Sequence, residues 1–362
     1  MDKLANIVSQ FDIVGNVVSV QPLGNGLIND TYKVVTTAND APSYVLQRIN
    51  HSIFTDVDLL QNNIEAVTSH IRRKLKSEGV NDVDRRVLTF VKLKNSDKTY
   101  YFDGENYWRL SVFIHDAVTF EAVTADSARQ AGEAFGNFQS MIADLDKPLG
   151  ETIPGFHSMV LRLNQLDEAV KQDKVGRVAE VQDLLDFVNE RRDRMTFAER
   201  LNNDGKLQKR LCHCDTKVNN MMFDKSTGDF LLVIDLDTVM PSFVFSDYGD
   251  FLRTAASTAA EDEPDLSKVV FNNDIFRAFT EGYLKGADFL TDVEIDHLPE
   301  GVMLFPYMQG VRFLTDYING DTYYKIKYPE HNLVRTRNQF KLLTSIEANL
   351  PQIRSFVSSL KH

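Results

Sequence analysis

The sequence predicts an α+β fold, with a small antiparallel sheet region followed by a larger, mostly helical region. The first third of the chain alternates short strand patterns with turns around a single helical pattern. Long amphipathic helical patterns then follow, interrupted by one strand-rich segment at residues 221–236. This grouping of strands before helices is typical of α+β proteins and not of βαβ repeats.

Six strand patterns occur in the first 114 residues. The predicted strands cover residues 16–23, 28–37, 43–50, 86–93, 98–103 and 107–114. Gly24, Asn25 and Gly26 separate the first two, and β-rich runs around such a turn predict a hairpin. Together the strand patterns predict a five-stranded antiparallel sheet.

One helix interrupts these strands, at residues 56–75. Four of its apolar residues recur at spacings of four, three and four, as on one face of a helix: Leu60, Ile64, Val67 and Ile71. Helical patterns dominate from residue 127 onwards. We therefore expect a small lobe at residues 1–113 and a large lobe at 114–362, joined by a hinge near 112–117, with the functional cleft between them.

Charge and composition exclude several classes of partner. The chain of 362 residues has 40 Lys and Arg against 52 Asp and Glu, whereas nucleic acids and anionic membranes require clustered basic residues. No apolar run reaches the length of about eighteen residues that a membrane helix needs, and no signal peptide is recognised. Two cysteines are too few for a disulfide framework. We expect a cytoplasmic protein, a monomer or small homo-oligomer, without nucleic-acid or membrane partners.

Both cysteines lie in the most informative segment, Leu211–Asn220 (LCHCDTKVNN). Cys212, His213 and Cys214 suggest a zinc site, but a structural zinc ion needs four ligands and the chain has no second cysteine pair. Two buried, packed cysteines are the simpler interpretation. The segment also has the spacing H-x-D-x-K-x-x-N of a protein-kinase catalytic loop, in which the Asp accepts the proton of the attacking hydroxyl. On this interpretation Asp215 is the base and the histidine orients the loop.

A predicted hairpin follows this loop. Its turn at residues 225–228 sets a strand pairing that puts Asp235 opposite about Val218. Asn220 and Asp235 then lie at the same end of the hairpin, as oxygen ligands suited to Mg²⁺ and nucleotide phosphates. Lys217 would neutralise charge on the transferring phosphoryl group. The alternative is that these residues only turn the chain around an ordinary hairpin.

The small lobe should supply the nucleotide contacts. The turn of Gly24, Asn25 and Gly26 offers backbone N–H groups to phosphates, although a G-x-G pattern alone is weak evidence. Arg48 on the third strand is the candidate for contacting the α and β phosphates, with Glu65 on the helix as its partner. The alternative is that Arg48 and Glu65 are exposed residues on separate elements.

With these residues placed, the chain resembles the superfamily of aminoglycoside phosphotransferases and choline kinases, and more closely the bacterial N-acetylhexosamine 1-kinases. The resemblance rests on GLINDTY, YVLQRIN, HCDTKVNN, IDLDTVMP, GVRFLTDYINGDTYY and KYPEHNLVRTRNQ, which run nearly end to end. It implies a two-lobed protein-kinase-like fold and an ATP- and Mg²⁺-dependent transfer of phosphate to the anomeric hydroxyl of a sugar. The implied residues are Asp215 as base, Asn220 and Asp235 as metal ligands, and a sugar pocket of Thr216, Lys217, Arg312 and Tyr323.

The residues themselves leave the pocket roles open. Arg312 lies among apolar residues of a predicted helix, where it either donates to a sugar or pairs with Asp316 four residues later. Tyr323 and Tyr324 either contact a sugar ring or close the core. Arg335 and Arg337 either shape the site or pair on the surface.

Some positions depart from the wider superfamily. Aminoglycoside phosphotransferases usually have Gly before the base and His-Pro after it, whereas this chain has Cys214 and a Lys217-Val pair, which argues against an aminoglycoside substrate. No Phe-Gly follows Asp235 and no Ala-Pro-Glu segment occurs, so a protein substrate is not expected. Asp247 and Asp250 either brace the site or are solvated caps.

The functional alternatives are a kinase of homoserine, choline or an aminoglycoside, and an inactive nucleotide-binding protein.

Overall fold

The computed structural model describes residues 3–24, 29–37, 41–120 and 123–361. Its α-helices are α1 (Lys3–Val8), α2 (Val57–Ser77), α3 (Val83–Arg86), α4 (Ala125–Ile142), α5 (Met159–Gln172), α6 (Gln182–Met195), α7 (Phe197–Asn203), α8 (Phe245–Ala255), α9 (Asn273–Gly286), α10 (Asp292–Asp296), α11 (Leu298–Ile318), α12 (His331–Ala348) and α13 (Leu350–Ser359). Its strands are β1 (Val17–Pro22), β2 (Asp30–Thr36), β3 (Tyr44–Ile49), β4 (Tyr100–Phe102), β5 (Tyr107–Val112), β6 (Ala117–Val118), β7 (Arg210–Cys212), β8 (Met221–Asp224), β9 (Phe230–Val233) and β10 (Met240–Ser242). None of the helices in these ranges has the length and apolar character needed to cross a membrane.

The chain packs as two units. The sheet unit comprises Met1–Thr119, Asp144–Pro154 and Met221–Met240, and the helical unit comprises Phe120–Ala143, Gly155–Asn220 and Pro241–His362. A small antiparallel sheet and a larger helical region confirm the predicted α+β class. The strand-rich segment after residue 220 packs with the sheet unit, although the sequence interpretation placed it in the large lobe. The hinge and the cleft stay predictions.

The main sheet has five antiparallel strands, as predicted, and their order is β1-β2-β3-β5-β4. β1 and β2 form the expected hairpin, whose tip at residues 25–28 lies outside the described residues. Alternate residues of the central strands point to one face, because side chains in a strand alternate between faces. That face forms a core with residues of α1 and the segment after it, including Val8, Phe11, Val34, Leu46, Trp108 and Leu110.

The predicted strand at residues 86–93 is wrong. Helix α3 ends at Arg86, and the following residues form only isolated bridges, one of them between Phe90 and Ser111. β4 already pairs with residues 107–109 of β5 on this edge. The segment at residues 86–93 can therefore reach only the end of β5 after residue 109. There the Val91 N–H donates to the Leu110 carbonyl at 2.8 Å.

Helix α2 is the predicted helix of the sheet unit. It begins after Asp56, whose carboxylate accepts a hydrogen bond from the Leu59 N–H at 2.8 Å and so caps the helix. The four apolar residues of the predicted face are all buried: Leu60, Ile64, Val67 and Ile71. Asn63 donates from one amide nitrogen to the carbonyls of Gly150 (2.8 Å) and Val239 (3.1 Å). This single side chain joins the three chain segments of the sheet unit.

The hairpin after the cysteine segment forms as predicted, with a changed register. β8 pairs with β9, and β6 adds a third strand. The Asp224 N–H donates to the Asp229 carbonyl at 2.8 Å, as the sequence pairing requires. A bulge between Met222 and Phe223 then shifts the register by one residue. Met221 is therefore opposite Val233, one position away from the pairing that was extrapolated from the turn.

The helical unit is built on close helix contacts. α11 is buried along nearly its whole length and packs against α5, α6, α8 and α12. α4 and α9 pack through two glycine pairs, Gly132 with Gly136 and Gly282 with Gly286. A methyl group on Gly136 would lie 2.6 Å from the Tyr283 carbonyl oxygen, and one on Gly132 would overlap that of Phe279. Only glycine allows the two backbones to approach so closely.

The glycine contact predicts a large effect of one methyl group. Gly132→Ala should lower the free energy of unfolding by at least about 2 kcal/mol, because backbone atoms of α9 cannot move aside as a side chain would. Gln130→Ala is the control, since Gln130 lies on the exposed side of α4. Urea denaturation of both variants measures the difference. Equal midpoints for the two variants would contradict the close packing of α4 against α9.

Candidate active site

The segment His213–Asn220 of the helical unit is held by one buried carboxylate. Asp247, in the first turn of α8, accepts hydrogen bonds from the backbone N–H groups of His213 (2.8 Å) and Cys214 (2.7 Å). Its main-chain oxygen accepts from the Thr216 hydroxyl at 2.8 Å. Cys214 has φ of +62°, a left-handed conformation that turns the chain just before Asp215. Asp247 thus braces the predicted catalytic loop, as the sequence interpretation expected.

The carboxyl group of Asp247 has a raised pKa. Asp247 is fully buried, and burial raises its pKa to about 6, although the two backbone donors and the nearby His213 act in the opposite direction. The ring of His213 is also fully buried and lies edge-on to Phe135 and Phe138, 5.8 Å between centroids in each case. Its Nδ1 accepts a hydrogen bond from the Asp215 N–H at 3.3 Å. The ring therefore orients the loop through a nitrogen.

Asp215, Lys217 and Asn220 converge within this loop. Lys217 Nζ lies 2.5 Å from Asp215 Oδ1, and both side chains reach solvent, with 44% and 22% exposed. Asn220 donates from Nδ2 to the Asp215 main-chain oxygen at 2.8 Å, which leaves its amide oxygen directed away from that contact. A cavity of about 400 Å³ opens beside Lys217 and is lined also by Asn219 and Thr254. Asp215, the predicted base, and Lys217 thus reach solvent beside each other, and the buried Asn220 contacts the main chain of Asp215.

A second acidic residue lies behind this group. Asp250 is buried and is paired with Arg253 at 3.2 Å, and Arg253 also contacts Glu261 at 2.6 Å. Burial raises the pKa of Asp250, and the charge of Asp215 acts in the same direction. Asp250 is therefore a neighbour of Asp215 that is neutralised by an arginine, not a solvated cap.

Arg312 and Tyr323, the predicted sugar-pocket residues, lie at a cluster on α11 and the loop after it. Arg312 does not pair with Asp316, the structural alternative. Asp316 is occupied by the backbone N–H groups of Thr322 (2.9 Å), Tyr323 (2.8 Å) and Tyr324 (3.0 Å). Its charge therefore holds the tyrosine loop.

The two tyrosines differ in their surroundings. Tyr323 is 70% exposed and so does not close the core, whereas Tyr324 is partly buried. The Arg312 guanidinium lies 5.7 Å from the Tyr324 ring centroid, and Gln309 bridges the two with hydrogen bonds of 3.2 Å to each. The sequence interpretation named both tyrosines as candidates for contacting a sugar ring, and Tyr324 is the one whose ring lies near Arg312.

In the sheet unit, the predicted pair of Arg48 and Glu65 is wrong. Arg48 donates to Asp30 (2.7 Å from Nε) and to Asn106 (3.2 Å), while Glu65 accepts from the Thr99 hydroxyl. Asp30 lies directly opposite Arg48 across the β2–β3 pair, where opposite charges on neighbouring strands attract. Their roles towards a nucleotide stay predictions.

Sequence reasoning missed a buried arginine in the sheet unit. Arg109 of β5 is 2% exposed and pairs with Asp237 Oδ1 at 2.5 Å, and Asp237 Oδ2 accepts from Asn29 at 2.7 Å. Gln47 accepts from Arg109 Nε at 3.0 Å. A charged residue inside the apolar pattern YWRLSVFI was the available signal, because a buried charge requires a partner.

The structure describes some, but not all, of the residues predicted to bind phosphate and metal. Gly24 has φ of +70°, a conformation that favours glycine, while Asn25 and Gly26 lie outside the described residues. Asp235 follows β9 in a left-handed conformation with φ of +58°. Carboxylate and amide oxygens suit Mg²⁺, which commonly takes one or two protein ligands and completes its shell with phosphates and water. Asn220 and Asp235 provide such oxygens.

The sulfur atoms do not form a metal site in the described part of the chain. Cys212 and Cys214 are free and buried, and burial raises the pKa of both thiols. Cys212 accepts from Gln139 and donates to the Phe243 carbonyl. Within the described ranges, no group of three or more His, Cys, Asp or Glu side chains is arranged to bind a metal. The interpretation as packed cysteines is confirmed.

Comparison with solved structures supports the fold. The chain is similar to an aminoglycoside phosphotransferase from Alicyclobacillus acidocaldarius, with 13% identity, a TM-score of 0.61, and 98% of this chain and 96% of that chain covered. It is similar to an amicoumacin kinase solved with AMP-PNP and Ca²⁺ (14%, TM-score 0.56, 95% and 94% covered). It is also similar to a Plasmodium vivax ethanolamine kinase (14%, TM-score 0.54, 93% and 87% covered). Identities this low show the fold alone.

A family model gives the assignment. The model described as the phosphotransferase enzyme family matches residues 19–281, which is most of the chain and includes the whole loop from His213 to Asn220. The chain therefore belongs to the phosphotransferase enzyme family.

Proposed function

We propose that the protein is an ATP- and Mg²⁺-dependent kinase that phosphorylates the anomeric hydroxyl of N-acetylhexosamines. The observation that carries the proposal is the loop in which Asp247 holds the backbone, so that Asp215 and Lys217 reach solvent beside each other and Asn220 contacts the Asp215 main chain. A cavity opens beside Lys217. Phosphoryl transfer depends mostly on positioning and on charge neutralisation, and this arrangement supplies both.

Asp215 acts as the base. One of its carboxylate oxygens accepts the proton of the attacking hydroxyl, while the backbone hydrogen bond from Asp215 to His213 keeps the residue in place. An anomeric hydroxyl is more acidic than an ordinary alcohol, so a carboxylate suffices as base. Lys217 lies 2.5 Å from the same carboxylate and offsets negative charge on the transferring group.

Asn220 and Asp235 hold the metal, and the sheet unit binds the nucleotide. Magnesium, when bound, neutralises charge on the phosphates. Gly24, Asn25 and Gly26 offer backbone N–H groups to the phosphates. Arg48 and Glu65 also contribute to nucleotide binding, although they do not pair with each other. The amicoumacin kinase of similar fold was solved with AMP-PNP and Ca²⁺, which supports a nucleotide and a divalent ion as ligands.

The acceptor pocket is formed by Thr216, Lys217, Arg312 and Tyr323. The support for N-acetylhexosamines over other hydroxyl compounds is the resemblance of the segments that carry Arg312 and Tyr323. Cationic acceptors such as choline or aminoglycosides are disfavoured, because Arg312 has no carboxylate within ion-pair distance in the described ranges and would repel them.

The first test removes the base. Asp215→Asn should lower kcat with N-acetylglucosamine by a factor of about 10² to 10⁴, since the amide cannot accept the proton. Coupled ADP release, with the sugar 1-phosphate identified as product, measures the rate. Glucose, choline, homoserine and kanamycin serve as comparison acceptors. A wild-type preference for one of these, or an unchanged rate in the variant, would refute the proposal.

The cysteines provide a second test. Cys212→Ala and Cys214→Ala should each keep the wild-type kcat within about threefold, because packed thiols take no part in the chemistry. Metal analysis of the purified protein should find no stoichiometric zinc. Loss of bound zinc together with activity in Cys212→Ala would show that the sulfur atoms are ligands.

The raised pKa of Asp247 predicts an acid limb in the rate profile. Below about pH 6 one carboxyl oxygen becomes protonated and accepts its backbone N–H more weakly, so the loop is held less firmly and kcat should fall. The folded-state pKa lies above that of an unfolded Asp, so this group binds more protons when folded and contributes more stability as pH falls from 6 to 4. Rates and urea midpoints between pH 5 and 8 separate the two effects. A flat rate profile over this range would contradict the role of Asp247.

A further inference from the structure

A chain of buried polar side chains runs within the sheet unit from helix α2 to the segment after β9. Gln61 donates to the Thr99 hydroxyl at 2.9 Å, and its amide oxygen accepts from Arg109 Nη1 at 3.4 Å. Arg109 pairs with Asp237 Oδ1 at 2.5 Å, and Asp237 Oδ2 accepts from Asn29 at 2.7 Å. All five residues are buried, and we call them the Arg109 network.

The network ends on α2 at Glu65. The Thr99 hydroxyl donates to the Glu65 carboxylate, and Gln61 lies one helical turn before Glu65 on the same helix. The sequence interpretation predicted a basic partner for Glu65 in this part of the chain and named Arg48. Arg48 pairs with Asp30 instead, so Arg109 is the basic residue that hydrogen bonds connect to Glu65.

The other end of the network holds the segment directly after Asp235. Asp237 lies in the short 3₁₀ helix that begins after Asp235, and Asp235 itself has φ of +58° and ψ of +58°. Two more side chains bind main-chain oxygens of this segment: Thr152 donates to that of Asp237 at 2.9 Å, and Asn63 to that of Val239 at 3.1 Å. A left-handed residue with a Cβ persists only where its surroundings fix it.

Stability alone does not account for Arg109. Desolvation of a buried ion pair offsets the attraction of its charges, and apolar residues of similar volume often serve the fold as well. The neighbours of Arg109 in β5, Trp108 and Leu110, are apolar and belong to the core. What the guanidinium adds is direction, because it fixes the carboxylate of Asp237 and, through it, the backbone next to Asp235.

We propose that Arg109 is a positioning residue for metal binding. Through Asp237 it fixes the backbone at Asp235, so that the Asp235 carboxylate is held in place for a divalent ion. Residues that orient a metal ligand without touching the metal commonly change metal affinity by about 10- to 100-fold. The inference rests on the proposed function in taking Asp235 as a metal ligand.

Nucleotide binding without turnover tests this role. Calorimetry of the full chain would measure the affinity for AMP-PNP with Mn²⁺ and with EDTA, in the absence of any acceptor. The ratio of the two affinities, here called the metal gain, reports on the ion in the site. Arg109→Met should reduce the metal gain about tenfold or abolish it, and should change the affinity in EDTA by less than about twofold.

A double variant separates positioning from folding. Arg109→Met leaves Asp237 as an unpaired buried charge, which lowers the free energy of unfolding. Arg109→Met combined with Asp237→Asn removes both charges and should recover much of the urea midpoint, while the metal gain stays low. Arg109→Lys keeps the charge and should retain more of the metal gain than Arg109→Met. The double variant remains informative where Arg109→Met does not fold.

Arg85→Met is the matched control. Arg85 pairs with Asp224 at 2.8 Å, at the turn of the β8–β9 hairpin, whose opposite end leads to Asp235. This variant should keep the metal gain within about twofold of the wild type, since the lost ion pair lies away from Asp235. An equal loss of metal gain in Arg85→Met and Arg109→Met would overturn the inference.

Asp235→Asn distinguishes failure of the inference from failure of the proposed function. A reduced metal gain in Asp235→Asn, with an unchanged gain in Arg109→Met and in the double variant, would overturn the positioning role and leave the kinase proposal intact. An unchanged gain in Asp235→Asn would overturn the metal assignment and the inference with it. The expected losses, together with no phosphorylated sugar from the wild type, would refute the proposed function alone.

Discussion

The candidate site depends on one buried carboxylate. Asp247 accepts two backbone N–H groups from the turn at His213 and Cys214, and this contact forces the chain to present Asp215 to solvent. Hydrogen bonds to a charged group contribute about 1.5 to 3 kcal/mol each. The rise of the Asp247 pKa from 3.8 to about 6 corresponds to about 3 kcal/mol against the charged form. That net cost already includes the opposing effect of the two donors, so burial outweighs them, and the carboxylate stays mostly charged at neutral pH because its pKa is still below 7.

The sheet unit also contains a buried carboxylate that organises nearby chain, Asp237, and its partner is an arginine. Asp237 is neutralised by Arg109 and also accepts from Asn29, and its main-chain oxygen accepts from Thr152 at 2.9 Å. A buried ion pair adds little net stability, because the desolvation of both groups offsets their attraction. Its effect is on geometry: the pair holds the segment directly after β9, in which Asp235 takes a left-handed conformation.

Asp316 provides a third example in which a charge organises backbone. Its carboxylate receives three successive N–H groups of the loop at residues 322–324 and the side chain of Asn332 at 2.9 Å. The acid that the sequence suggested as a partner for Arg312 is therefore occupied. Arg312 is left with aromatic neighbours and a hydrogen bond to Gln309.

The sequence by itself determined the α+β class, the five-stranded sheet, helix α2, the hairpin turn after Asp224 and the catalytic-loop spacing, because each follows from periodicity or short-range chemistry. Tertiary structure decided the rest. The pairing of Arg48 with Asp30 depends on which strands are neighbours, and the strand pattern at residues 86–93 failed because β4 already occupies that edge of β5. Arg109 and Asp237 pair although they are far apart in the sequence. The backbone of residues 322–324 competes with Arg312 for the carboxylate of Asp316 and binds it. Such choices are made only when the whole chain has packed, since they depend on distance in space and not on spacing in the sequence.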